Sequence, residues 1–158
     1  MPDPRRLGGI AWLERTHGAL TARERRQLVG PILRGQAEAL LGRLALVTGR
    51  RPTTPTTLPV PPDSAMAREA WDVAAAQPAA LLGHAYRTWA FGRALAAFDG
   101  EGDLDEEIFY TAALLHDVGL MRAVTGEDFT LRSAAAAARV VEGHVMAADV
   151  IRVRDAIA

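Results

Sequence analysis

The segment from Ile108 to about Val118 constrains this chain most. Ile108, Phe109, Ala112, Ala113, Leu114 and Leu115 leave almost no polar face on it, so a helix made of these residues must be buried in a core. Yet the run ends on His116-Asp117. An ionised carboxylate at the end of a buried helix costs several kcal/mol unless it is paired or coordinates a cation. A metal ion would satisfy imidazole and carboxylate together. Neighbouring helical residues diverge by about 100°, so the two side chains converge on one ion only near a helix end. Gly119 follows, where the chain can turn away.

With 158 residues the chain is long enough for one sizeable core and short for two independent domains. Alanine, leucine and arginine dominate, while aromatics and isoleucine are scarce, which favours helix over sheet. The expected fold is all-α. All 18 basic Lys/Arg positions are arginine and the formal net charge is −1, so nothing resembles a polybasic nucleic-acid footprint. No cysteine is present, which excludes disulfides, thiolate ligands and a cysteine nucleophile. Any metal must therefore be held by nitrogen and oxygen.

Arg5-Arg6 precedes Leu-Gly-Gly-Ile-Ala-Trp-Leu, an apolar stretch too short and too glycine-broken for a signal sequence. No apolar run approaches membrane-spanning length. The expectation is a cytoplasmic protein with a small-molecule substrate and neither nucleic acid nor membrane as partner.

Thr21-Ala-Arg-Glu24 has capping-box spacing and starts a helix that Gly30-Pro31 is expected to interrupt. A second run, Leu33, Ala37, Leu40, Leu41, Leu44 and Val47, keeps helical spacing to Gly49. From Pro52 to Pro62 five prolines alternate with threonines, a composition that reads as an extended connector. This divides the chain into an N-terminal helical extension (1–51), a Pro/Thr-rich connector (52–62) and a main domain (63–158). The connector and the helices before it point to a homodimer.

Asp63 or Ser64 can cap a helix running to about Gln77, and Pro78 opens the next. That helix carries His84 at the edge of an apolar stripe, with Arg87 and Phe91 on the same side. The acidic loop Asp99 to Asp105 superficially resembles a calcium loop. However, Leu104 stands where glycine is needed and Tyr110 where a bidentate carboxylate is needed, so its acidic residues are read as caps for the next helix. Val145 to Ala158 reads as an amphipathic helix that stops without a glycine cap or a polar tail.

Two blocks, Leu82-Gly-His84-Ala-Tyr-Arg87-Thr-Trp-Ala-Phe-Gly92 and Tyr110-Thr-Ala-Ala-Leu-Leu-His116-Asp117-Val-Gly-Leu120, resemble the HD superfamily of metal-dependent phosphohydrolases. Within that superfamily they are nearest the cyanamide hydratase-related branch, and the resemblance spans about Pro61 to the C-terminus. It implies an HD-type helical bundle in which His84, His116 and Asp117 bind a divalent cation, a transition metal or magnesium. It also implies catalytic roles for Asp117 and Arg87, with Arg87 holding an anionic group one helical turn from His84. Family members complete the coordination with a later aspartate. The expectation here is a domain lacking its C-terminal helices, or a final ligand from within among His144, Asp149 and Asp155.

Three functions follow from the resemblance. One is hydrolysis of a small phosphorylated or nucleotide substrate, for which Arg122 and Arg132 would join Arg87. Another is hydro-lyase chemistry on a nitrile-like molecule in an apolar pocket of Trp89, Phe91 and Phe129. The third is a catalytically inactive helical module. His17 lies outside the resembling blocks and is expected to be solvated, and Trp12, Trp71 and Trp89 are expected to be core or contact aromatics.

Overall fold

In a computed structural model, residues 6–47, 59–100, 103–122 and 124–158 are described, and every regular element among them is helical. The fold is the expected all-α bundle. Its helices are α1 (Ile10–Thr16), α2 (Ala22–Val47), α3 (Ala65–Ala75), α4 (Ala79–Asp99), α5 (Glu106–Leu115), α6 (Phe129–Val141) and α7 (Ala147–Ile157). A 3₁₀ turn at Val118–Arg122 joins α5 to the approach of α6.

Local signals set most helix starts. The Ser64 hydroxyl accepts the Ala67 amide at 3.0 Å and opens α3. Asp105 accepts the Ile108 amide at 3.2 Å and opens α5, with Glu106 and Glu107 against its positive end. The acidic residue is thus a cap, as its sequence position implied. Asp128 opens α6 by accepting the Thr130 amide at 2.9 Å.

The described residues 6–18 and 59–158 form one compact unit, and 19–47 another. Residues 6–18 thus fall in the unit that holds α3 to α7. The first helix start read from the sequence is Thr21, but α1 forms ahead of it and buries Ile10, Trp12 and Leu13. It packs on α6 and α7, and its first amide, of Ile10, donates to Asp155 Oδ1 at 2.9 Å. A short helix gains little from propensity, so this long-range packing is what stabilises it. His17 closes α1 in a left-handed conformation and is exposed, as expected.

In the second unit the expected break at Gly30-Pro31 does not occur: α2 runs 26 residues straight through Pro31. Proline removes only its own amide from the ladder, and the carbonyl left unmatched on this exposed stretch is open to water. Of the connector, 52–58 lie outside the described residues, and 59–62 are neither helix nor strand.

The core of the first unit is built around α5, which packs on α3, α4 and α7. Leu114, Leu115, Trp89, Val141 and Val153 are fully enclosed. Trp89 meets the Tyr110 and Tyr86 rings edge-on at 5.1 Å each, and Tyr86 meets Trp71 at 6.3 Å. Truncating a side chain like Trp89 costs roughly 3–5 kcal/mol. Alanines 67, 70, 74, 134 and 137 complete the interior, letting α3 and α6 approach closely. Gln77, buried after α3, donates to the Leu114 carbonyl at 3.4 Å, tying that junction to the end of α5.

Candidate metal centre

The apolar run expected over 108–118 ends as a helix at Leu115, and His116 is its C-cap. His116 and Asp117 thus occupy the reversal between α5 and the 3₁₀ turn, where consecutive side chains can face one point. Gly119 makes that reversal feasible. A Cβ there would stand 2.1 Å from the Phe129 carbonyl oxygen and 2.9 Å from both the amide and the hydroxyl of Ser133. The Gly119 amide donates to that same Ser133 hydroxyl at 2.9 Å, docking the turn on α6.

His84 comes from the second turn of α4. His84 Nε2 and His116 Nε2 are 3.3 Å apart, His84 Nε2 and Asp117 Oδ2 3.5 Å, and His116 Nε2 and Asp117 Oδ2 3.3 Å. The three expected ligand residues therefore present three ligand atoms at the corners of a near-equilateral triangle, the one such group found among the described residues. Ligands about 2.0–2.1 Å from a common ion lie roughly 3.0–3.4 Å apart in octahedral or tetrahedral arrangements. The triangle fits that scale. Its members grade outward, with Asp117 16 % exposed, His116 26 % and His84 52 %.

The donor chemistry agrees with the spacing. His116 Nδ1 lies 2.9 Å from the Ala113 carbonyl oxygen, and a carbonyl only accepts, so Nδ1 carries the hydrogen. In the neutral ring, His116 Nε2 is then the lone pair, facing Asp117 and His84. A backbone carbonyl behind the ring is the common way of holding a ligand histidine in its tautomer and orientation. The unmatched carbonyls at the C-terminus of α5 add partial negative charge beside the carboxylate. All these groups favour a cation.

Arg87 lies on the same exposed face of α4, and no ion pair holds it among the described residues. Its Nη1 is 3.2 Å from where a Cβ on Gly83 would stand, so the missing side chain at 83 makes room for the guanidinium.

The internal candidates for a further ligand are engaged elsewhere. His144 Nε2 is 2.8 Å from Glu69 Oε2, Asp149 pairs with Arg152 at 3.0 Å, and Asp155 caps α1. None joins the triangle among the described residues. Arg132 is held by Glu127 and by the Arg122 carbonyl. Of the apolar-pocket residues, Trp89 is wholly buried and Phe91 is 66 % exposed, so they lie on different sides of α4 and share no pocket wall.

Sequence reading did not identify the Ala113 carbonyl, the Ser133 hydroxyl or Gln77. Ala113 becomes readable once α5 is known to end at Leu115, three residues beyond being the ordinary reach of a C-cap ring. Ser133 and Gln77 carry no local signal, since their partners are 14 and 37 residues away. Beside the centre, the turn residues Val118 and Gly119 form one wall of an open groove of about 640 Å³, on which Arg122, Arg132 and Arg139 also lie.

Residues 81–152 match the family model of the HD domain. The matched stretch contains His84, His116 and Asp117 and runs from α4 into α7, which supports an HD superfamily domain there. No curated protein and no solved structure matches the chain. No helix among the described residues is long and apolar enough to cross a membrane.

Proposed function

We propose that this chain is a metal-dependent hydrolase of the HD type, acting on a small phosphorylated or nucleotide substrate. The observation that carries the reading is the triangle of His84, His116 and Asp117, with edges of 3.3–3.5 Å. A divalent ion bound there, a transition metal or magnesium, supplies Lewis-acid polarisation of a phosphoryl oxygen and acidifies water for attack near neutral pH.

The chain's own residues then have separable roles. His116, tethered at Nδ1 to Ala113, sets the direction of one ligand bond. Asp117, the least exposed of the three, contributes the negative charge that balances the ion. Arg87 binds the substrate's anionic group by paired N–H donors, which a phosphate accepts better than a neutral nitrile does. Arg122 and Arg139, on the groove that begins at Val118-Gly119, add positive charge that favours an anionic substrate. The alternative is a cyanamide hydratase-like reaction, for which Phe91 and Phe129 rather than the buried Trp89 would have to supply the apolar lining.

The test is a panel of nucleotides and small phosphomonoesters assayed with Mn²⁺, Co²⁺, Ni²⁺ or Mg²⁺, with cyanamide as comparison. Metal-dependent phosphate release that is lost in Asp117→Ala, with a raised KM in Arg87→Ala, is the expected result. Cyanamide turnover without phosphate release would transfer the site to hydro-lyase chemistry. A metal-loaded protein that turns over neither would make it an inactive module.

A further inference from the structure

The groove that begins at Val118-Gly119 has a chemistry of its own. Its volume, about 640 Å³, is that of a small-ligand site. Val73 and Ala76 at the end of α3 and Ala135 and Ala136 on α6 give it an apolar lining. Three of these four are alanines, which let a flat ring come close to the helix backbone.

The charge in the groove has one sign. Arg122, Arg132 and Arg139 line it, and no acidic side chain does so among the described residues. Arg132 and Arg139 flank Ala135 and Ala136 on one face of α6, as helical spacing requires. Arg132 is taken up by Glu127 and by the Arg122 carbonyl. The exposed guanidinium groups of Arg122 and Arg139 have no ion pair among the described residues. Neither group can lose its proton, and the planar fork of each suits a phosphate.

Gln77 adds a polar group of another kind. It borders the same groove and is 6 % exposed. Its Nε2 is spent on the Leu114 carbonyl, whereas its Oε1 has no hydrogen-bond partner among the described residues. A buried amide oxygen left unpaired is costly, and an N–H donor would satisfy it.

We propose that this groove is a nucleotide-binding site separate from the metal centre. The base lies against Ala76, Ala135 and Ala136 and donates its exocyclic amine to Gln77 Oε1, while the phosphates take Arg122 and Arg139. A free phosphate would use the arginines alone and leave the apolar lining and Gln77 unmatched. None of His84, Arg87, His116 or Asp117 lines the groove, so this binding requires no metal and stands independently of the reaction proposed above.

The test is isothermal titration calorimetry on the full chain in chelator, with ADP, the diphosphate of purine riboside, which lacks the exocyclic amine, and inorganic pyrophosphate. ADP should bind at one per chain, and Asp117→Ala should leave its affinity unchanged. Arg122→Ala and Arg139→Ala should each weaken it at least about tenfold while keeping the wild-type circular dichroism, because each removes a charged hydrogen-bond donor from an exposed position. The purine riboside diphosphate should bind about tenfold more weakly than ADP, since Gln77 Oε1 stays unpaired. A wild type that does not bind ADP, or binding indifferent to Arg122→Ala and Arg139→Ala, would overturn the proposal. Pyrophosphate binding as tightly as ADP would reduce the groove to an anion site and overturn the nucleotide, and loss of ADP binding in Asp117→Ala would overturn its separation from the metal centre.

Discussion

His84 Nε2 and His116 Nε2 face each other at 3.3 Å across 32 residues of sequence. Because Ala113 holds the proton of His116 on Nδ1, this approach sets a lone pair against the neighbouring imidazole, and the Asp117 carboxylate adds negative charge at 3.3 Å. Nothing in core packing requires two imidazoles and a carboxylate to be so close. The expected outcome on titration is therefore about one divalent ion per chain. His84→Ala, His116→Ala and Asp117→Ala should each lose at least about tenfold in affinity while keeping the wild-type helical circular dichroism. The bound ion should also raise Tm, by the equivalent of about 2.7 kcal/mol at a hundredfold excess over Kd, and chelator should reverse the gain. A Tm unaffected by metal in the wild type would remove the centre.

Gly119→Ala should destabilise the protein by about 2–4 kcal/mol, because its Cβ would overlap a backbone carbonyl that cannot move without shifting α6. Gly42→Ala makes the opposite prediction. A Cβ there meets nothing within 4 Å in a helical position, so it should stabilise α2 by about 0.5–1 kcal/mol. Urea denaturation of both variants measures the two signs.

The Thr111 hydroxyl is buried in α5 without a hydrogen-bond partner among the described residues. Thr111→Val replaces it with a methyl of nearly the same shape and relieves that desolvation. The substitution should be neutral or stabilising by up to about 1 kcal/mol, where Thr to Val at a bonded site destabilises. Thermal melts of Thr111→Val decide it.

Burial against Trp89, and then the neighbouring Tyr86, raises the Tyr110 phenol above its ordinary value near 10. Below pH 10 the phenol is neutral in folded and unfolded chains alike, and the folded state keeps its full stability there. Above it the unfolded chain ionises first, so stability should fall as pH rises towards the folded-state value. Tyr110→Phe should abolish that part of the alkaline loss, measurable as a flatter dependence of Tm on pH above 10.

The bundle was legible because its signals are local: Ser64, Asp105 and the apolar run of α5 each act within a few residues. The grouping of His84, His116 and Asp117 was legible because two blocks resembled one family, and the structure brings these three residues together. What escaped reading depends on partners distant in sequence. Helix α1 exists because Ile10, Trp12 and Leu13 find α6 and α7, and Asp155 is claimed by the amide of Ile10. The continuous α2 was misread for a different reason: proline weakens a helix by a bounded amount, and a long helix tolerates one such loss.

The row of rings Trp71, Tyr86, Trp89 and Tyr110 crosses from α3 through α4 into α5 in steps of 6.3, 5.1 and 5.1 Å. At such separations, light absorbed by either tyrosine is passed to a tryptophan before it can be emitted. The folded chain should thus emit almost entirely as tryptophan, with Trp89, shut away from water, supplying its bluest component. Loosening α4 from α5 would redden that component and let tyrosine emission appear, so the colour of the protein's own fluorescence reports whether the two helices that carry His84 and His116 are in register.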